Sequence, residues 1–99
     1  METVAVIARL KPGTEELAAR LLENGPPFDP EGLGLRRHRA FLSAGEVVFV
    51  FEGHQVEWIV DDLVSDPYAS RIDAALEAWR PLIEPPPRVG RPVYDWERG

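Results

Sequence analysis

The segment ETVAVIARL, residues 2–10, constrains the fold of this chain more than any other stretch. Its period of two sends Val4, Val6, Ala8 and Leu10 to one side and Thr3, Ala5, Ile7 and Arg9 to the other. Both sides are largely apolar, which suits a central strand buried on both faces. VVFVFE at 47–52 has the same two-sided character. It follows LRRHRAFL (35–42) and SAGE, and the whole reads as a β-hairpin turning near Ala44-Gly45, with Gly53 ending its second strand.

The intervening segments read as helices and loops. KPGTEE breaks the first strand at Pro12-Gly13, offers Thr14 as a cap and places Glu15 and Glu16 at a positive helix end. Leu17, Ala18, Leu21 and Leu22 form the apolar stripe of that helix, and Gly25-Pro26-Pro27 stops it. Residues 25–34 are a Pro/Gly-rich loop. Val56, Ile59, Val60, Leu63 and Val64 give residues 55–64 a helical period. Ser65-Asp66-Pro67 interrupts it, and a further helix runs to about Arg80 with Tyr68, Ile72, Ala75, Leu76 and Trp79 on one face. Pro81 and Pro85-Pro86-Pro87 rule out its continuation. RVGRPVYDW (88–96) is the expected last strand, and Pro92 assigns it to a sheet edge.

The resulting order is βαββαβ with a broken second helix, an α+β, ferredoxin-like pattern in one domain spanning residues 1–99. Right-handed crossovers place the first and third strands in the centre of a four-stranded antiparallel sheet and the second and fourth at its edges. Helices cover one face of such a sheet. The other face would expose Val, Phe and Leu, and the simplest cover is the same face of a second copy about a two-fold axis. A homodimer is therefore expected.

Composition narrows the chemistry. The chain has no cysteine, which excludes disulfides, thiolate metal sites and cysteine nucleophiles. Its 17 acids against 11 bases give a net charge of −6, which disfavours nucleic acid as a partner. No apolar run approaches the roughly 20 residues of a membrane helix, and METVAVIARL lacks the features of a signal peptide. A soluble cytoplasmic protein is expected. Lys11 is the only lysine among the 11 bases, Asn24 and Gln55 are the only side-chain amides and Met1 the only methionine, and proline is high at 10. Few thermolabile residues and many prolines fit a thermophile, and a GC-rich genome gives the same bias.

The candidate functional residues are few. His38 and His54 are the only histidines, and either could act near neutral pH as a general base; His38 is the better candidate for proton acceptor. Arg36, Arg37 and Arg39 cluster on the same strand as His38. They could orient an anionic ligand, Arg37 and Arg39 above all, or simply charge an edge strand against aggregation. A hairpin turn of three or four residues would pair Glu52 with Arg36 or Arg37. The helical period puts Trp58 opposite the Val56 stripe, on a polar face where a tryptophan calls for a subunit, loop or ligand contact. Trp79 and Tyr68 read as core aromatics that could wall a ligand pocket. Tyr94 and Trp96 share one side of the last strand and could wrap onto a partner subunit. No serine sits in a nucleophile-elbow context, and no glycine-rich phosphate loop occurs.

ARLKPGTEE after the first strand, the hairpin with VVFVFEG, and SDPYASR opening the last helix resemble the dimeric α+β barrel superfamily. That superfamily includes antibiotic-biosynthesis-type monooxygenases, muconolactone isomerases and chlorite-dismutase-like proteins. The resemblance implies two sheets packed as a dimeric barrel, with a cleft between helices and sheet in each subunit. Its haem-degrading members carry an asparagine on the first strand and a histidine after the tryptophan of the second helical segment. Here Trp58 is present but neither of the others is, which counts against haem. Two readings follow. One is a monooxygenase- or isomerase-like enzyme acting on a small organic molecule without metal or cofactor. The other is a non-catalytic small-molecule-binding or protein-interaction module whose functional unit is the homodimer.

Overall fold

The computed structural model describes residues 2–25, 29–56, 58 and 77–98. Five elements lie within them: β1 (Glu2–Leu10), α1 (Glu15–Glu23), β2 (Leu35–Ser43), β3 (Glu46–Gly53) and β4 (Ile83–Gly90). Glu77–Trp79 are also helical and close the segment that leads into β4. The strands form one antiparallel sheet in the order β2-β3-β1-β4. The two strands with apolar residues on both sides thus sit in the centre, and the strands rich in charge or proline sit at the edges.

Antiparallel partners share a face, so the register sorts the side chains. Val4, Val6 and Ala8 of β1 lie beside Phe51, Phe49 and Val47 of β3, and His38, Ala40 and Leu42 of β2 continue that row. This is the covered face. Ala18 of α1, Trp79 and Leu82 pack on it with Ala8, Leu10 and Val47. Leu35 and Val56 pack with Val4, Val6 and Phe51 towards the other end. The opposite face carries Ala5 and Ile7 of β1, Val48 and Val50 of β3, and Arg37, Arg39 and Phe41 of β2. Its apolar residues on β1 and β3 are only half-buried, and Phe41 is 53% exposed. This is the open face.

Several local expectations need correction. The last strand begins at Ile83, not at residue 88, and ends at Gly90. It therefore contains Pro85-Pro86-Pro87, which halt a helix yet are accommodated in this strand. Between the pairs Ile7–Arg88 and Arg9–Glu84, only Ala8 of β1 stands against the three prolines. That register shift at a sheet edge accommodates residues that have no N–H to donate. Residues 91–98 form no ladder and are exposed, so Pro92 is not in the edge strand. The hairpin turn has two residues, Ala44-Gly45, and Gly45 takes the φ of 89° such a turn needs.

Thr14 stands at the helix start as expected, but its hydroxyl does not cap α1. It donates to the carbonyls of Lys11 (2.7 Å) and Leu82 (3.2 Å), tying the helix entry to the chain that enters β4. Leu17 lies outside the buried stripe, at 52% exposure, while Ala18 is fully buried. The helix over 55–64, its break at Ser65-Asp66-Pro67 and the start of the following helix lie outside the described residues, apart from Gln55, Val56 and Trp58.

Val47 has no exposed surface and joins β3 to α1 and Trp79. Val47→Ala should lower the unfolding free energy by about 2 kcal/mol, read as a drop in urea midpoint without a change in slope.

Candidate functional site

His38 is the one described side chain that combines proton chemistry with an apolar, partly buried setting. The β2 register turns it to the covered face, between Phe51 directly opposite on β3 and Phe49 two residues away. Its ring stacks on Phe51 with centroids 4.6 Å apart and lies parallel to Phe49 at 6.4 Å. Phe49 in turn meets Trp79 edge-to-face at 5.1 Å. His38, Phe49, Phe51 and Trp79 are thus brought together on one face by two adjacent strands and the end of the last helix.

The hydrogen bonding of the ring fixes its tautomer. Nδ1 lies 3.1 Å from the carbonyl oxygen of Val50. A carbonyl only accepts, so Nδ1 carries the proton and Nε2 is the basic nitrogen of the neutral ring. Burial pushes the pKa of His38 below the ordinary 6.5, and the bond to Val50 offsets this only in part. The imidazole is therefore neutral at pH 7, the state a proton acceptor needs.

The arginines are not brought to His38. Arg37 and Arg39 project from the open face, by the same alternation that turns His38 to the covered one. Glu52 stands opposite Arg37 in the register, but its ion pair is the diagonal one, with Arg39 at 3.1 Å. The Arg39 guanidinium also lies over the Phe41 ring, 5.8 Å from its centre, and its buried Nε has no hydrogen-bond partner among the described residues. Arg36 and Arg37 are exposed, as is His54 in the bend after Gly53.

The aromatics divide. Trp79 is buried, as its helical stripe implies. Trp58 is half-buried and packs on the Val4–Val6–Leu35–Phe51–Val56 cluster, rather than standing on a face opposite Val56. Val56 is not helical, so the helical wheel drawn through it does not apply. Tyr68 lies outside the described residues. Phe49 and Phe51 are the site residues that sequence reasoning missed. Their alternation in VVFVFE, aligned across the hairpin with His38, was the available signal. Among the described residues no three His, Asp or Glu side chains gather as a metal site, and no helix is long and apolar enough to cross a membrane.

No family model matches the chain, and no curated protein does. Solved structures do. A protein of unknown function from Nitrosomonas europaea matches with a TM-score of 0.65 at 19% identity, over 98% of this chain and 93% of its own. Tetracenomycin F2 cyclase from Streptomyces glaucescens, a type-II polyketide cyclase, matches with a TM-score of 0.64 at 16% identity over 100% of both chains. A Chloroflexus aurantiacus protein, provisionally assigned as an antibiotic biosynthesis monooxygenase, matches with a TM-score of 0.51 at 18% identity, over 98% of this chain and 99% of its own. At these identities the likeness is one of fold. The chain has a ferredoxin-like α+β fold, shared with these structures.

A depressed histidine pKa has a defined effect on stability. Between the folded and unfolded pKa values of His38 the unfolded chain binds more protons, so stability rises with pH there. The contribution is complete above about pH 6.5, the unfolded value, and is lost as pH falls through the lower folded one. Between pH 6.5 and 5 the urea midpoint of the wild type should therefore fall more steeply than that of His38→Phe.

Proposed function

We propose that this protein is a homodimeric enzyme acting on a small organic molecule, with His38 as the proton acceptor on the helix-covered face of each sheet. The observation that carries the reading is the neutral His38, its Nδ1 bound to Val50 and its ring stacked on Phe51. Nε2 takes a proton from a carbon or hydroxyl acidified by a neighbouring carbonyl or aromatic ring. The electron pair stays on the substrate as an enolate or phenolate. An isomerisation returns the proton elsewhere on the substrate; a cyclisation uses the same electron pair to bond to a second carbonyl carbon of the substrate, whose oxygen takes the proton back from Nε2. The Phe49, Phe51 and Trp79 rings offer flat apolar surface to a planar substrate. The likeness in fold to a polyketide cyclase and to a provisionally assigned antibiotic biosynthesis monooxygenase supports a reading of this class.

The arginine placement favours one alternative. Arg37 and Arg39 lie across the sheet from His38, so an anionic substrate at His38 is not oriented by them within one subunit. A non-catalytic binding or interaction module, with the dimer as its working unit, accounts for arginines on the open face.

The second copy belongs on the open face. Ala5, Ile7, Val48, Val50 and Phe41 form an apolar strip there that water would otherwise meet. The Arg39–Glu52 and Arg88–Glu46 pairs lie on the same face at its margin.

Two experiments test the proposal. Solvent-deuterium incorporation into a panel of β-dicarbonyl and polyhydroxylated aromatic compounds should be accelerated by the wild type. His38→Gln should lose about 100-fold or more of that rate, the usual size of a general-base contribution. Equal rates for the two proteins would remove His38 from the chemistry. Ile7→Glu should convert the dimer into a folded monomer in sedimentation equilibrium, because it buries a charge in the strip.

A further inference from the structure

Ala40 breaks the local rules of the strand that carries it. It stands on β2 directly opposite Phe49, on the helix-covered face, between His38 and Leu42 in the same row. Alanine is a poor strand former, and an exposed strand position facing a phenylalanine favours a β-branched or aromatic side chain. Ala8 of β1, also small and on this face, has a packing reason. It shares a buried cluster with Ala18 of α1, two small residues where helix meets sheet. Ala40 has no such cover. It is exposed, and so is Leu42 beyond it at 39%, although Val47 and Phe51 of the neighbouring strand are buried on the same side.

We propose that Ala40 is the specificity-determining residue of the His38 site, its methyl flooring an open bay that admits one planar ring between His38 and Leu42, against the Phe49 ring. This rests on the proton-transfer reading above and names what limits the substrate's size. Positions that break a local rule with no packing gain are expected at functional sites. The row that lines the bay is His38, Ala40 and Leu42, and with His38 neutral it carries no charge, which suits a neutral ring.

The dimensions fit one ring. His38 and Leu42 are four residues apart on β2, about 13 Å along an extended strand, and Ala40 lies midway, about 7 Å from each. A ring over Ala40 is thus at the distance of an aromatic pair from the imidazole, and across the ladder it is about 5 Å from the Phe49 position. Trp79 packs edge-to-face on Phe49 at 5.1 Å, which keeps that wall in place. With Nδ1 held on the Val50 carbonyl, Nε2 lies across the ring from that anchor, away from the β3 backbone. A hydroxyl at the near edge of the bound ring is the group presented to it. A large side chain at position 40 fills the same space. It pairs with Phe49 across the ladder and leaves the anchor of His38, which belongs to β3, untouched.

Resorcinol, a one-ring dihydroxy compound, tests the bay on the wild type, Ala40→Phe and Ala40→Val. Two quantities are read: deuterium incorporation into its ring carbons, and displacement of the His38 and Phe49 ring signals in NMR titrations. Both variants put a better strand former at an exposed position and should fold, with urea midpoints no lower than that of the wild type. Ala40→Phe should raise KM and Kd for resorcinol by about tenfold or more, and Ala40→Val by less, with kcat unchanged. Leu42→Ala lengthens the bay and should raise kcat/KM for 1,3-dihydroxynaphthalene relative to resorcinol by about tenfold. Wild-type values for resorcinol in Ala40→Phe would overturn the bay and leave His38 as the base. Resorcinol that displaces the signals of the wild type without accelerated deuterium incorporation would overturn the proton-transfer reading and leave the bay. Neither response in the wild type would overturn both.

Discussion

Everything in this fold depends on β1 being bonded on both sides and apolar on both faces. It lies between β3 and β4, so its backbone groups are satisfied by neighbours rather than by water. Its covered side, Val4, Val6, Ala8 and Leu10, is where α1, Trp79 and Leu82 find their apolar surface. Its open side, Ala5 and Ile7, continues into Val48 and Val50 and gives the molecule a second apolar face that one copy of the chain does not bury. One strand thus supports a packed core on one side and a half-buried apolar face on the other.

The same alternation separates the two kinds of chemistry on β2. His38 is turned inward to Phe51 and the Val50 carbonyl, where burial keeps it neutral and basic at Nε2. Arg37 and Arg39 are turned outward to the face with Glu52, Phe41 and unshielded apolar side chains. A single edge strand thus holds its histidine on the covered side and its arginines on the open side, with the sheet between them.

The strands were legible because their signal is local. ETVAVIARL and VVFVFE show a period of two over enough residues to fix both faces, and Ala44-Gly45 marks the turn between hairpin strands. The edge strand was misplaced because Pro85-Pro86-Pro87 reads as a break in any local scheme. Only the pairing with β1, a contact about 80 residues distant in sequence, lets three prolines sit in a strand. Trp58 was misplaced for a related reason: a helical wheel begun at Val56 starts before the chain is helical. His38 was identified by residue type alone. Its stacking partners and tautomer depend on a cross-strand register that no single-segment pattern contains. The separation of His38 from Arg37 and Arg39 was present in the alternation and follows once the strand is taken as regular.

The account stands or falls on the sheet having one face for the core and the other for a second copy. Intermolecular NOEs between methyl groups, measured in a mixture of isotope-labelled and unlabelled chains, test this directly. The account predicts cross-chain contacts among Ile7, Val48 and Val50, and none to Val4, Val6 or Val47. Cross-chain contacts confined to the helix-covered side, or none at concentrations where the protein is dimeric, would contradict it.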